Sequence, residues 1–316
     1  MKRTIVQLVL LLLALSCVRE EVQTERLGLG LEPSIHTFLW KVGGDGGAGI
    51  SRGSDENRAY GPQSIACLSD GRLGILDNMN GRLVEFAADG SIVGETGASP
   101  MTVDVVGLID GYAALELARN LITIQRDDGS VEEKTLPVGL APVQSLALDV
   151  EGRPLIRTAY QEEVVVSDGG IARGTQGLRA FDGNRYQVVA AVDGAKVRLG
   201  GRWRFDRVHC PQIAGDGCST ENLGLLPFSA AAVRFMDTMD GGLVFLADHL
   251  SEDRGVERKI HILDAELEIL MTVDLEGGLY TPNQQVRVCQ DGTLVWFIPG
   301  EDGLVIGRLE RERGSE

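Results

Sequence analysis

Residues 61–93 read GPQSIACLSDGRLGILDNMNGRLVEFAADGSIV. Short stretches of apolar–polar alternation, the period-two signature of half-buried strands, are cut by Asp70-Gly71, Asn80-Gly81 and Asp89-Gly90. Such pairs supply the positive-φ positions of tight hairpins. The stretch therefore predicts a small antiparallel sheet of three or four strands. A sheet of that size cannot bury both faces by itself, so it needs neighbours of its own kind.

The chain supplies them. Acidic-Gly pairs stand at 70, 110, 151, 193, 240 and 291, each after a short apolar run: SIACLS, VDVVGLI, VQSLALDV, YQVVAAV, VRFMDTM and QVRVCQ. A second strand follows each, and usually a third: RLVEFA, LITIQR, EVVVS, WRFDRV, KIHILD and LVIGRL. The pairs recur at intervals of 40 to 51 residues. Six copies near that period predict an all-β fold, a six-bladed β-propeller. Residues 36–42, HTFLWKV, precede the first copy, and few residues remain after LVIGRLE. The N-terminal strand is therefore expected to close the last blade. The helix-like YAALELARN at 112–120 falls where a second strand belongs, and the pattern overrides its propensity.

The first copy resembles the NHL-repeat family of six-bladed propellers. Gly61-Pro62, Asp70-Gly71, Asp77, Asn80 and Arg82 match its pattern of Gly-Pro, strand, Asp-Gly, strand ending in Asp, then Asn-x-Arg. Asp240-Gly241 and Asp248 match in part. The resemblance implies fold more than activity. Propellers of this kind include lactonases, lyases and quinone-dependent dehydrogenases, with sites at the central channel, and also non-catalytic scaffolds. By the bare chemistry of the residues, Asp77, Asn80 and Arg82 read as blade geometry.

The N-terminus, MKRTIVQLVLLLLALSCVREEVQ, has a basic start and an apolar stretch too short to span a bilayer comfortably. Residues 1–16 read as a signal peptide. Leu13-Ala14-Leu15-Ser16-Cys17 resembles a bacterial lipobox, which implies lipidation of Cys17 and cleavage before it. The alternative is ordinary cleavage at Ala14-x-Ser16 and a soluble secreted or periplasmic protein. Val18 after the cysteine resembles the outer-membrane sorting pattern. Residues 17–35 read as a lipidated tether and 36–316 as the propeller domain. A net charge of −16 excludes nucleic acid as a natural partner.

Export places Cys67, Cys210, Cys218 and Cys289 in an oxidising compartment. Cys210 and Cys218 flank the loop CPQIAGDGC and are expected to pair. Cys67 and Cys289 would then join blades one and six, although they differ by one residue in register relative to their turns. His209 beside Cys210 lacks the spacing of a zinc site.

For chemistry the chain offers little. His209, His249 and His261 form a possible three-histidine set from separate blades, weighed against structural or surface histidines. Asp77-Asn78-Met79-Asn80-Gly81 fails as an EF-hand, because Met79 occupies an oxygen position. GGDGGAG at 43–49 lacks the helix of a nucleotide fingerprint and reads as an inter-blade loop. SEDRGVERK at 251–259 reads as a solvated hairpin tip, and 200–230 and 248–260 as excursions suited to contacts. No cofactor is predicted; calcium or zinc belongs to the alternative. The expected function is a cell-envelope binding or assembly scaffold for an envelope protein or small ligand. The alternative is a lactonase-like hydrolase or lyase with a divalent metal in the channel.

Overall fold

The computed structural model describes residues 34–41, 53–55, 58–136, 142–149, 151–165, 175–191, 201–210, 217–239, 242–251, 255–275, 282–300 and 303–310. Six four-stranded antiparallel sheets form the six blades of a propeller. The sequence of the first blade dictates its ladder. Ser64–Cys67, Leu73–Asp77, Arg82–Phe86 and Ile92–Gly97 pair in order, and the first three are almost wholly buried, as expected of a blade covered on both faces. Blade two begins with Asp104–Leu108 and blade three with Val143–Leu148. Blade five runs from Ala232–Met239 to Ile269–Asp274.

The sixth blade closes the ring. It consists of Val286–Val288, Leu294–Pro299 and Gly303–Glu310, completed by the N-terminal strand Ser34–Lys41 in antiparallel register from Ser34↔Glu310 to Lys41↔Gly303. That strand begins two residues earlier than the expected domain boundary. Residues 43–49, the expected signal peptide at 1–16 and Cys17 lie outside the described residues.

First strands are innermost. The amide of Ile65 donates to the carbonyl of Gln284, and that of Gln284 to Gln63, in a parallel bridge between blades one and six. Cys67 and Cys289 form a disulfide across the same seam, with Cα atoms 5.5 Å apart. Their one-residue offset is what the seam requires. Adjacent blades present opposite faces to each other, and side chains alternate faces with period two. Cys67 pairs in the ladder with Leu73, and Val288 with Leu294, so Val288 is the blade-six equivalent of Cys67. Val288 packs towards blade five, whereas Cys289 packs towards blade one.

Apolar clusters fill the gaps between blades. Ile65, Ile75, Val84 and Phe86 meet Val295, Phe297, Leu304 and Ile306 between blades one and six. Comparable clusters join blades one and two, two and three, four and five, and five and six. Blades three and four are joined differently among the described residues. The Gln161 amide donates to the carbonyl of Val188 at 2.6 Å and accepts from its N–H at 2.7 Å, while Glu163 pairs with Arg185 at 3.2 Å.

The hairpins explain one misplaced expectation. In blade four the turn between the first two strands, Leu178–Arg179 and Arg185–Ala190, contains Asp182-Gly183 rather than Asp193-Gly194. YQVVAAV is thus largely a second strand, and Asp193-Gly194 falls in the next connection, outside the described residues. Asp-Gly marks a hairpin, not a blade. The Asp carboxylate accepts the N–H two residues on at Asp89, Asp128, Asp182 and Asp291, two of which lie between third and fourth strands. YAALELARN forms the strand Gly111–Glu116, and its helical tendency survives as one 3-10 turn at Leu117–Arg119.

Most of the excursion at 200–230 is strand. Gly201–His209 and Ser219–Ala230 are the third and fourth strands of blade four, and Cys210–Cys218 staples their hairpin. Residues 256–259 of the charged 251–259 segment likewise belong to a strand, Val256–Leu263.

Candidate functional site

The centre of the ring is polar and crosslinked. Asp104, on the first strand of blade two, is fully buried. Its carboxylate accepts from Ser64 Oγ of blade one, from the N–H of Leu146 of blade three at 2.7 Å, and from Arg287 of blade six at 2.8 Å. Arg287 spends its other donors on the carbonyls of Ile65 at 2.8 Å and Leu146 at 3.2 Å. One guanidinium thus ties together four blades. Burial pushes the Asp104 carboxyl up, while Arg287 and the hydrogen bonds pull it back.

A second strut lies beside it. Arg157 of blade three donates to the carbonyls of Met236 at 3.0 Å and Arg179 at 3.1 Å, and to Glu163 at 3.2 Å. Asp237 lies 3.9 Å from Arg157 and accepts the N–H groups of Phe181 and Thr238, both at 2.8 Å. Burial raises its pKa to about 6, against the pull of Arg157. These side chains hold inner strands together, and among the described residues Asp237 Oδ2 has only the 3.9 Å ion pair with Arg157.

The motif positions Asp77, Asn80 and Arg82 come together in one hairpin. Asn80 donates to the buried Asp77 at 2.6 Å and Arg82 does so at 3.1 Å, while Arg82 also reaches Glu95 of the outermost strand at 2.8 Å. The same device recurs with other residues. Glu116 of blade two accepts from Ser99, Arg119 and Thr123. In blade five Asp248 accepts both arms of Arg258, at 2.6 and 3.0 Å. A carboxylate acceptor at or near the end of the second strand is the shared signal, buried in blades one and two and half-buried in blade five, and only in blade one is it spelled Asp-x-x-Asn-x-Arg.

The three histidines do not form one set. His209 is exposed and faces Glu221 at 3.3 Å. It pairs with Ser219, which the bulged strand sets six to seven partner positions from Phe228 and hence about 20 Å away from it. Phe228 instead stacks on His261, with ring centroids 4.2 Å apart. His249 and His261 meet through their Nε2 atoms at 2.9 Å, and Thr272 Oγ1 lies 2.9 Å from His261 Nδ1. The ring centroids are 5.2 Å apart, about the N···N distance plus the two ring radii. The nitrogens therefore point at each other, in a straight N–H···N hydrogen bond. Two imidazoles sharing a metal would instead converge on a third point. Burial, then the neighbouring His249, lowers His261 to about 4. Among the described residues, no group of three His, Cys, Asp or Glu side chains is placed to hold a metal ion.

Exposed apolar side chains occur on both faces of the ring. Met79, Met101, Leu117, Tyr160, Leu250 and Val256 all lie at hairpins between second and third strands or at links between blades, which share one face. The opposite face carries Ile109 and Phe181 at turns between first and second strands, and Ile92, Val131, Val165 and Ile269 beside its outer hairpins between third and fourth strands.

No protein-family model matches the chain, and no curated protein sequence matches it. Solved structures with similar folds include a gluconolactonase from Xanthomonas campestris, 14% identical over 91% of this chain and 92% of that one, with a TM-score of 0.49. Virginiamycin B lyase from Staphylococcus aureus is 14% identical over 88% and 99%, with a TM-score of 0.44. BamB from Moraxella catarrhalis is 12% identical over 83% and 92%, with a TM-score of 0.39. The similar structures thus include enzymes as well as BamB, and at these identities they favour neither an enzyme nor a scaffold for this chain.

Proposed function

We propose that the protein is an exported, lipid-anchored binding or assembly scaffold of the bacterial cell envelope, docking a protein partner on the face that carries the second-to-third-strand hairpins. The observation that carries this reading is the row of exposed apolar side chains there, Met79, Leu117, Tyr160, Leu250 and Val256, spread over four blades. Exposed apolar side chains repeated on the same hairpin of several blades, inward of the outermost strands, offer an interaction surface. The cross-blade struts at the centre support it, since their donors and acceptors already serve the fold. The lipobox-like segment ending at Cys17 supports anchoring, and Val18 supports the outer membrane.

Photo-crosslinking in intact envelopes tests the surface. A crosslinker replacing Tyr160 or Leu117 should give one discrete adduct of defined mass, and the same group at Ile109 should give none. Equal labelling from both faces, or none from either, overturns the scaffold reading. A Cys17→Ser chain should lose metabolic palmitate label and leave the membrane fraction; unchanged partition overturns the anchor.

A further inference from the structure

We propose that Arg234 and Gln285, at the seam between blades five and six, form a site for a carboxylate. Arg234 stands on the first strand of blade five opposite Leu246, whose side chain belongs to the core shared with blade six. It therefore faces the seam from the innermost strand. One step along that face, Asp248 and Arg258 are register partners. Both Asp248 oxygens are taken by Arg258, which also reaches the Gln285 side-chain oxygen at 3.4 Å. Arg234 is left with no hydrogen bond or ion pair to any described residue, although it is partly buried, with the like charge of Arg258 and the more distant opposite charge of Asp248 near it. Gln285 is only 4% exposed, and its amide nitrogen likewise donates to no described residue.

Every other buried arginine in the centre is paired: Arg287 with Asp104, Arg157 with Glu163 and Arg185 with Glu163. A partly buried guanidinium without a hydrogen-bond acceptor costs free energy, because part of its solvation is lost and only the charge of Asp248 offsets it. A planar five-donor fork suits a carboxylate, which accepts two parallel hydrogen bonds, and the Gln285 amide, held in the same seam by Arg258, offers a further donor. The carboxylate can belong to a free small acid or to an acidic side chain of a docked protein. The inference goes beyond the scaffold reading and does not rest on it.

Calorimetric titration of the full chain at constant ionic strength tests the site, with succinate and an Asp-Glu-containing peptide as carboxylate probes and inorganic phosphate as a class control. Saturable heat with succinate assigns a free acid, and with the peptide alone an acidic segment. Arg234→Gln should weaken whichever carboxylate binds by at least about tenfold, and Arg234→Lys should recover part of the loss. Without ligand, Arg234→Gln should melt at the same temperature or higher. Four outcomes overturn the proposal: no saturable heat with either carboxylate, tighter binding of phosphate, unchanged binding by Arg234→Gln, or a lowered melting temperature for that variant. Crosslinking from Tyr160 is unaffected by any of them, so the two readings fail separately.

Discussion

Arg287 of blade six and Asp104 of blade two, 183 residues apart in the chain, meet at 2.8 Å in the centre of the ring. The pair does not act alone, because Arg287 also binds backbone carbonyls of blades one and three, and Asp104 accepts from the Ser64 hydroxyl of blade one and the Leu146 N–H of blade three. It is a strut across the axis, made of charges that water cannot solvate.

Removing one side of such a pair leaves a buried charge uncompensated. Arg287→Ala should lower stability by about 3–5 kcal/mol. Replacing both partners with apolar residues of similar volume should cost less than either single change. Urea unfolding of the two single variants and the double variant measures this, and additive losses would show that the two side chains act independently.

The two disulfides should differ in weight. Cys67–Cys289 spans 222 residues and Cys210–Cys218 spans 8. In the chain-entropy account the first constrains the unfolded chain by about 5 kcal/mol and the second by about 2. A Cys67→Ser/Cys289→Ser variant should therefore melt lower than Cys210→Ser/Cys218→Ser, as scanning calorimetry would read.

Two buried groups oppose each other in acid. The pKa of His261 falls from 6.5 unfolded to about 4 folded, so its contribution is present above 6.5 and lost as pH falls through about 4. The pKa of Asp237 rises from 3.8 to about 6, so its contribution is present below 3.8 and lost as pH rises through about 6. Between roughly pH 4 and 6 the two slopes partly cancel. His261→Gln should make stability fall as pH rises through that window, and Asp237→Asn should make it fall as pH drops. Chemical denaturation at several pH values checks the signs; identical slopes in both variants would refute the assignment.

Two glycines with positive φ should respond differently to alanine. At Gly111, with φ +143°, a Cβ would lie 2.0 Å from the carbonyl oxygen of Gln125 on the neighbouring strand. At Gly129, with φ +83°, a Cβ meets nothing within 4 Å. Gly129→Ala should cost about 1 kcal/mol from backbone conformation alone. Gly111→Ala should cost clearly more, since backbone must move. Equal melting temperatures would show that the Gln125 strand yields freely.

The sequence by itself determined the units. Alternation and Asp-Gly turns are local signals, because a hairpin is specified by the few residues within it. They made the six blades and the closing strand legible, and the spacing of the cysteines made their pairing so. The same locality misplaced blade four: Asp182-Gly183 and Asp193-Gly194 are alike as turn formers, and only the pairing of Arg185–Ala190 with strands on both sides decides which one opens the blade.

Tertiary structure alone decided what the blades bring together. Arg287 reaches Asp104 because ring closure sets blade six beside blade one. His261 faces His249 rather than His209 because ladder register places them on adjacent strands. Arg234 lacks a partner because Asp248 sits one register step away and is already filled by Arg258. No local pattern encodes such contacts. They depend on which face each residue takes and on the angle between blades, which become fixed only when every sheet is packed against its neighbours.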